Sequence, residues 1–187
     1  MRPKLAVPVS GSGTILEAMI KRGVPIDLVV ADRPCRGVGI ARQVHIPTEM
    51  FTRSFGGGFD RRLFTLEVMA ELKRYNIGLV AMAGFMTIFD PVIFEQYANR
   101  ITNIHPALLP SFKGDHAVAD ALKFGVKVTG TTIHYATAEL DNGPIIAQEA
   151  VPVLEGDTEK TLHERIKVVE RRLYPEVVMK LLQAMTA

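Results

Sequence analysis

Tryptophan is absent from this 187-residue chain and cysteine occurs once, at Cys35, so no internal disulfide can form. Asn-X-Ser/Thr acceptor triplets are also missing, and nothing else argues for secretion. The apolar run from Leu5 to Val9 is cut short by Ser10 and Gly11, too brief for a signal-peptide core. No apolar stretch reaches the length that spans a bilayer. These gaps predict a cytoplasmic protein that neither crosses nor enters a membrane. Charge is equally sparse: 22 basic and 20 acidic residues leave a net charge of +2, with no polybasic run to follow a nucleic-acid backbone. Small anionic ligands fit this balance better than DNA or RNA.

What the chain does have is an apolar fraction of 48%, enough to bury a core over one domain, residues 1–187, without internal repeats or linkers. Leu5 to Val9 reads as a buried strand, Ser10-Gly11-Ser12-Gly13 as a turn, and the following residues as a helix capped at Gly23. A second strand is expected at Ile26–Val30 and a short helix at Gly37–Val44, followed by a loop holding Gly56, Gly57 and Gly58. Asp60 suits the N-cap of a helix whose apolar face is Phe64, Val68, Leu72 and Tyr75. Ile77–Met82 has the unbroken apolarity of a central parallel strand, and another strand is expected at Arg100–Ile104. Beyond Gly125 the pattern changes to two strand-like runs, Val126–Tyr135 and Pro144–Pro152, joined by a turn at Asp141-Asn142-Gly143. A long C-terminal helix follows, with Leu162, Ile166, Val169 and Leu173 on its buried face and a kink expected at Pro175. The predicted class is α/β: a mostly parallel, doubly wound, Rossmann-like sheet with an antiparallel C-terminal extension and a long final helix.

Three patterns carry possible chemistry. The turn Ser10-Gly11-Ser12-Gly13-Thr14 presents backbone N–H groups and a helix N-terminus to one point, which suits a phosphate, although a plain tight turn has the same composition. With Asp32 about 20 residues on, Gly11 and Gly13 also permit a dinucleotide site, against which Leu16 occupies the place of the third small residue. Asn103-Ile104-His105-Pro106 places an amide and an imidazole on one face at a strand's carboxyl end, suited to an oxyanion developing on a carbonyl. The same pair also reads as a strand-end cap and a core histidine. Asp141 is either a turn former or a carboxylate that pairs with His105. His105, His116 and His134 lack metal-ligand spacing, and no Gly-X-Ser-X-Gly elbow is present, so neither metal nor covalent catalysis is expected.

Taken together, Ser10-Gly11-Ser12-Gly13-Thr14, Ala83-Gly84-Phe85-Met86, Asn103 through Pro110, and Leu140-Asp141-Asn142-Gly143-Pro144 resemble the folate-dependent formyltransferases acting on phosphoribosylglycinamide, in both order and spacing. The similarity runs from the first strand to Glu170. It implies a formyltransferase fold, 10-formyltetrahydrofolate as co-substrate, glycinamide ribonucleotide as acceptor in purine (IMP) biosynthesis, no metal, and a monomer or homodimer. It further implies that residues of about 1–100 hold the phosphate and those of about 101–187 carry folate and catalysis. By the same resemblance Asn103, His105 and Asp141 are the catalytic residues. Gly11, Ser12, Gly13, Thr14 and Ile15 would hold the phosphate, and Pro106 and Glu170 would contact the same substrate. Arg61, Met86, Thr87, Ile88, Phe89, Asn103 and the loop Thr137, Ala138, Glu139, Leu140 and Asp141 would form the folate pocket. Two positions depart from the usual pattern: Ile15 replaces an asparagine, and Thr87 an arginine. A formyltetrahydrofolate hydrolase shares the catalytic pattern but normally adds an N-terminal regulatory domain, whereas strand one here begins almost at Met1. Methionyl-tRNA formyltransferase adds a C-terminal RNA-binding domain for which this chain has no length.

Overall fold

Short apolar runs make up the middle of the sheet. The computed structural model describes residues 2–53 and 58–186, so Gly56 and Gly57 of the expected glycine loop lie outside the described residues. Seven strands form one sheet: β1 (Lys4–Val9), β2 (Leu28–Ala31), β3 (Thr48–Met50), β4 (Ile77–Met82), β5 (Ile101–His105), β6 (Val128–Tyr135) and β7 (Ile145–Pro152). Six helices connect or cover them: α1 (Thr14–Lys21), α2 (Arg36–Gln43), α3 (Arg61–Arg74), α4 (Val92–Gln96), α5 (Ala117–Phe124) and α6 (Glu159–Ala184). The strand order is β3-β2-β1-β4-β5-β6-β7. The first five in that order pair in parallel, and β6 and β7 extend the sheet antiparallel, as the sequence predicts.

Alternation along each central strand divides the core in two. Leu5, Val7 and Val9 of β1 and Leu79 and Ala81 of β4 point to the face covered by α1 and α6, where they meet Leu16, Met19, Tyr174 and Val178. Ala6 and Val80 point to the opposite face, against Phe64, Val68 and Leu72 of α3 and Ile93 of α4. Each fully buried Leu, Ile or Phe contributes roughly 1.5–3 kcal/mol relative to exposure, so both faces must be covered for strands of this composition to persist. Asp60 caps α3 as expected, its carboxylate accepting from the Leu63 N–H at 2.9 Å.

Several elements differ from the sequence reading. β3, α4 and α5 were not anticipated. β3 is a three-residue strand made by pairing with β2, Val29 opposite Thr48, and not by any apolar pattern of its own. The buried stripe of α6 runs through Leu162, Ile166, Glu170 and Tyr174, while Val169 and Leu173 are only half-buried. The stripe tolerates polar groups because the sheet supplies partners: the Tyr174 hydroxyl lies 2.9 Å from Thr102 Oγ1 and donates to the Thr102 carbonyl at 3.1 Å. α6 continues through Pro175 as one helix. Among the described residues, no helix is long and apolar enough to cross a membrane.

Strand order reverses between β1 and β4. At such a switch point the connections leave in opposite directions and open a crevice at the carboxyl ends of the strands. The glycine turn after β1, the loop after β4 and the carboxyl end of β5 with Asn103 and His105 all lie there.

Candidate active site

After β1 the chain turns through Ser10, Gly11, Ser12 and Gly13 into α1. Gly13 is the N-cap at φ 66°, in the left-handed region, and a Cβ on it would come within 2.7 Å of the Gly37 Cα. Only glycine fits there, and glycine brings no capping side chain, so the first-turn N–H groups of α1 stay available to an anion. Gly37 N–H donates to the Gly11 carbonyl at 3.2 Å, and Arg36 Nη1 donates to the Ser12 carbonyl at 2.7 Å while pairing with Glu17. The start of α2 thus braces the turn. Ile15 is 7% exposed and packs into the core, so this position offers the turn its backbone N–H alone.

Two strands away, separated from β1 by β4 alone, β5 carries Asn103 and His105. Two inter-strand steps span roughly 10 Å. Asp141 lies before β7 at φ 49°, a left-handed conformation that aspartate tolerates better than most residues. Gly143 follows in the same turn, where a Cβ would overlap the Tyr135 carbonyl oxygen. The turn-forming and the chemical readings of Asp141 are therefore compatible, because the turn is what aims the carboxylate inward.

His105 Nδ1 is 3.3 Å from Asp141 Oδ2, with both side chains about 95% buried. The same oxygen accepts the Gly114 N–H at 2.9 Å. On its other side His105 Nε2 donates to the Phe112 carbonyl at 2.7 Å. A carbonyl can only accept, so Nε2 carries the proton of that bond, while Nδ1 faces the carboxylate. Burial alone would push the Asp141 carboxyl up. Hydrogen bonding from His134, the Gly114 N–H and the charges of His105 and His134 together hold it below the ordinary aspartate range.

His134, considered in the sequence only as a metal ligand and set aside, belongs to this cluster. It lies on β6 directly opposite Asn103. Its Nδ1 donates to the Tyr135 carbonyl at 2.9 Å, and its Nε2 sits 3.4 Å from Asn103 Nδ2 and 3.6 Å from Asp141 Oδ1. Without a proton on Nε2 it accepts one N–H of the Asn103 amide and leaves the second for a ligand; with one, the same nitrogen donates to Asp141 instead. The signal that would have found it is pairing register: two strands expected to be antiparallel each carry a polar residue at the position where they meet.

A cavity opens beside Asn103, His134 and Asp141. One wall is Met82, Phe85, Thr87, Ile88, Phe89 and Phe94, the other Ala136, Thr137, Glu139 and Leu140. Of the residues assigned to a folate pocket by resemblance, Thr87, Ile88, Phe89, Asn103, Thr137, Glu139, Leu140 and Asp141 line it. Met86 and Ala138 are in the same loops but not on its wall, and Arg61 is exposed at the first turn of α3. Thr87 is 3% exposed, its hydroxyl donating to Asp32 at 2.7 Å. Asp32 is itself fully buried and held by Arg33, which leaves its carboxylate no open face toward a ribose; the dinucleotide reading loses its acidic residue.

Pro106 follows β5 at the edge of the same crevice. Glu170 lies behind the strand: the Thr131 hydroxyl is within hydrogen-bond distance of both the His105 carbonyl (3.2 Å) and Glu170 Oε1 (3.3 Å). Burial pushes the Glu170 carboxyl up to about 7, against the smaller pulls of the Thr131 hydroxyl and the Lys167 and Arg171 charges. Among the described residues no group of three or more His, Cys, Asp or Glu side chains is arranged to hold a metal ion.

A glycine turn that opens a helix and a cluster of amide, imidazole and carboxylate meet at one switch point of an α/β sheet, an arrangement suited to a group-transfer enzyme. Residues 3–178 match the family described as formyl transferase, and the chain belongs to that family. A phosphoribosylglycinamide formyltransferase of Mycobacterium tuberculosis is 44% identical over 183 residues, 95% of this chain and 84% of its own length. The human trifunctional purine biosynthetic protein adenosine-3 is 37% identical over 182 residues, 93% of this chain but 18% of that protein. The crystal structure of phosphoribosylglycinamide formyltransferase from Anaplasma phagocytophilum superposes with a TM-score of 0.90 at 38% identity, covering 98% of this chain and 89% of that one.

Proposed function

We propose that this enzyme transfers the formyl group of 10-formyltetrahydrofolate to the amine of glycinamide ribonucleotide, a step of purine (IMP) biosynthesis. The observation that carries the reading is the convergence of Asn103, His105 and Asp141 beside a cavity, two strands from the phosphate turn. Residues of about 1–100 would anchor the phosphate and those of about 101–187 would carry the reacting groups, within one domain.

The neutral amine attacks the formyl carbon, and the carbonyl electron pair moves to oxygen, giving a tetrahedral intermediate with an oxyanion and a positively charged nitrogen. The free N–H of Asn103 donates to that oxyanion. The Nε2–H of His105 now engages Phe112, so bound substrate has to replace that carbonyl before His105 can donate as well. Asp141 faces the His105 ring and, directly or through a water, carries the proton from the attacking nitrogen to N10 of the folate. Breaking the bond between formyl carbon and N10 then yields formylated ribonucleotide and tetrahydrofolate. Asn103 and His105 have most to offer the oxyanion, which is present in neither substrate nor product, as transition-state complementarity requires.

An absorbance assay for folate product with and without glycinamide ribonucleotide tests this. Product is expected only when the amine acceptor is present. Equal release without it would replace the transferase by a formyltetrahydrofolate hydrolase working through the same triad.

A further inference from the structure

Asp32 is a buried ionisable group that the reaction leaves without a task. It sits at the end of β2, completely excluded from solvent, and gathers donors from three segments. Arg33 bonds both oxygens through Nε (3.0 Å) and Nη2 (2.9 Å). The Thr87 hydroxyl reaches it from the loop after β4 at 2.7 Å. The Ser10 hydroxyl reaches it from the end of β1. Ser10 in turn accepts the Met86 N–H on Oγ at 2.8 Å and donates its own N–H to the Gly84 carbonyl at 3.1 Å.

Ser10 opens the proposed phosphate turn, and Thr87 lines the cavity assigned to folate. One carboxylate therefore holds the base of each binding loop. Burying a charge is expensive and a neutral packed residue would brace a loop end at lower cost, so a carboxylate here asks for a role beyond stability. We infer that Asp32 is a positioning residue that couples the two substrate sites, with Ser10 and Thr87 as its arms, so that a phosphate in the turn strengthens folate binding and the reverse. Whichever ligand arrives first fixes the shared hydrogen-bond network, and the second meets loops already in place. By linkage the effect is the same in both directions. Threonine at 87 is what allows this, because its short hydroxyl turns inward to Asp32.

This inference rests on the proposed reaction, and one experiment separates the two. Calorimetry would measure the affinity for glycinamide ribonucleotide with and without saturating tetrahydrofolate, a pair that binds without turnover. The wild-type enzyme is expected to bind the ribonucleotide at least about fivefold more tightly when tetrahydrofolate is present, the lower end of ordinary coupling. Thr87→Val and Ser10→Ala should each bring that ratio to about one, and Thr87→Ser, which keeps the hydroxyl, should retain it. A merely structural role would lower thermal stability or both affinities and leave the ratio in place. Coupling that survives in Thr87→Val, or wild-type sites that bind independently, overturns the inference alone. A wild-type enzyme that does not bind the ribonucleotide at all overturns the proposed reaction and the inference with it.

Discussion

The proposed phosphate turn and the proposed reacting cluster meet at one crevice but are built in opposite ways. The turn is five consecutive residues whose proposed function rests on main-chain N–H groups and one left-handed glycine. The cluster is four side chains from β5, β6 and the turn before β7, nearly all buried and each dependent on the others for its hydrogen bonds. Main-chain donors come with the fold and carry no ionisation cost. Side-chain donors in a buried site can be matched to charge that exists only in the transition state, but they need partners to hold their protonation and aim.

The largest break in this comparison is at the cluster. Asn103→Ala or His105→Ala is expected to lower kcat by at least about a hundredfold, the scale of losing one oxyanion donor. Steady-state kinetics on the folded variants checks this, and near-normal turnover would remove either residue from the reaction.

Glu170 sharpens the contrast through pH. Its carboxyl, pushed up to about 7 by burial, is protonated in the folded chain over a range where the unfolded chain has already released the proton at an ordinary value near 4.5. The unfolded state then binds fewer protons, so stability falls as pH rises from about 4.5 to 7 and stays low above. Glu170→Gln removes that loss and should stabilise the protein by up to about 3 kcal/mol at pH 8, with little effect at pH 4.5. Denaturant unfolding at the two pH values reads the difference. If the gain is the same at both, the buried carboxyl is not the source.

The smallest expected effect is at the turn. Gly13→Ala must place a Cβ against Gly37 in a left-handed backbone, which costs about 1–2 kcal/mol for the conformation alone. Displaced N–H groups should raise KM for the ribonucleotide by about tenfold and leave kcat close to wild type, the signature of lost uniform binding. A fall in kcat of the same size would show that the turn also sets the position of the amine.

Much of this was legible in advance, and the reasons are local. Continuous apolar runs at Leu5–Val9 and Ile77–Met82 can be stable only as strands covered on both faces, and they form β1 and β4. Asp60 announces α3 because an aspartate side chain satisfies a helix N–H three residues on. β3 was illegible because Thr48-Glu49-Met50 has no pattern of its own and becomes a strand through pairing with β2. The buried stripe of α6 was displaced by one residue for a similar reason. Glu170 and Tyr174 look like surface positions until Thr131 and Thr102 are known to wait opposite them.

Sequence alone determined the α/β class and the glycine turn, which follow from residue type and short-range spacing, and through resemblance to a family it singled out three of the four clustered side chains. Tertiary structure alone decided that His134 stands across from Asn103, that Phe112 occupies the outer nitrogen of His105, and that Asp32 turns inward to tie two loops. Those are contacts between residues 7 to 55 positions apart in the chain, and their distances are set by strand register and helix packing, which no local pattern encodes.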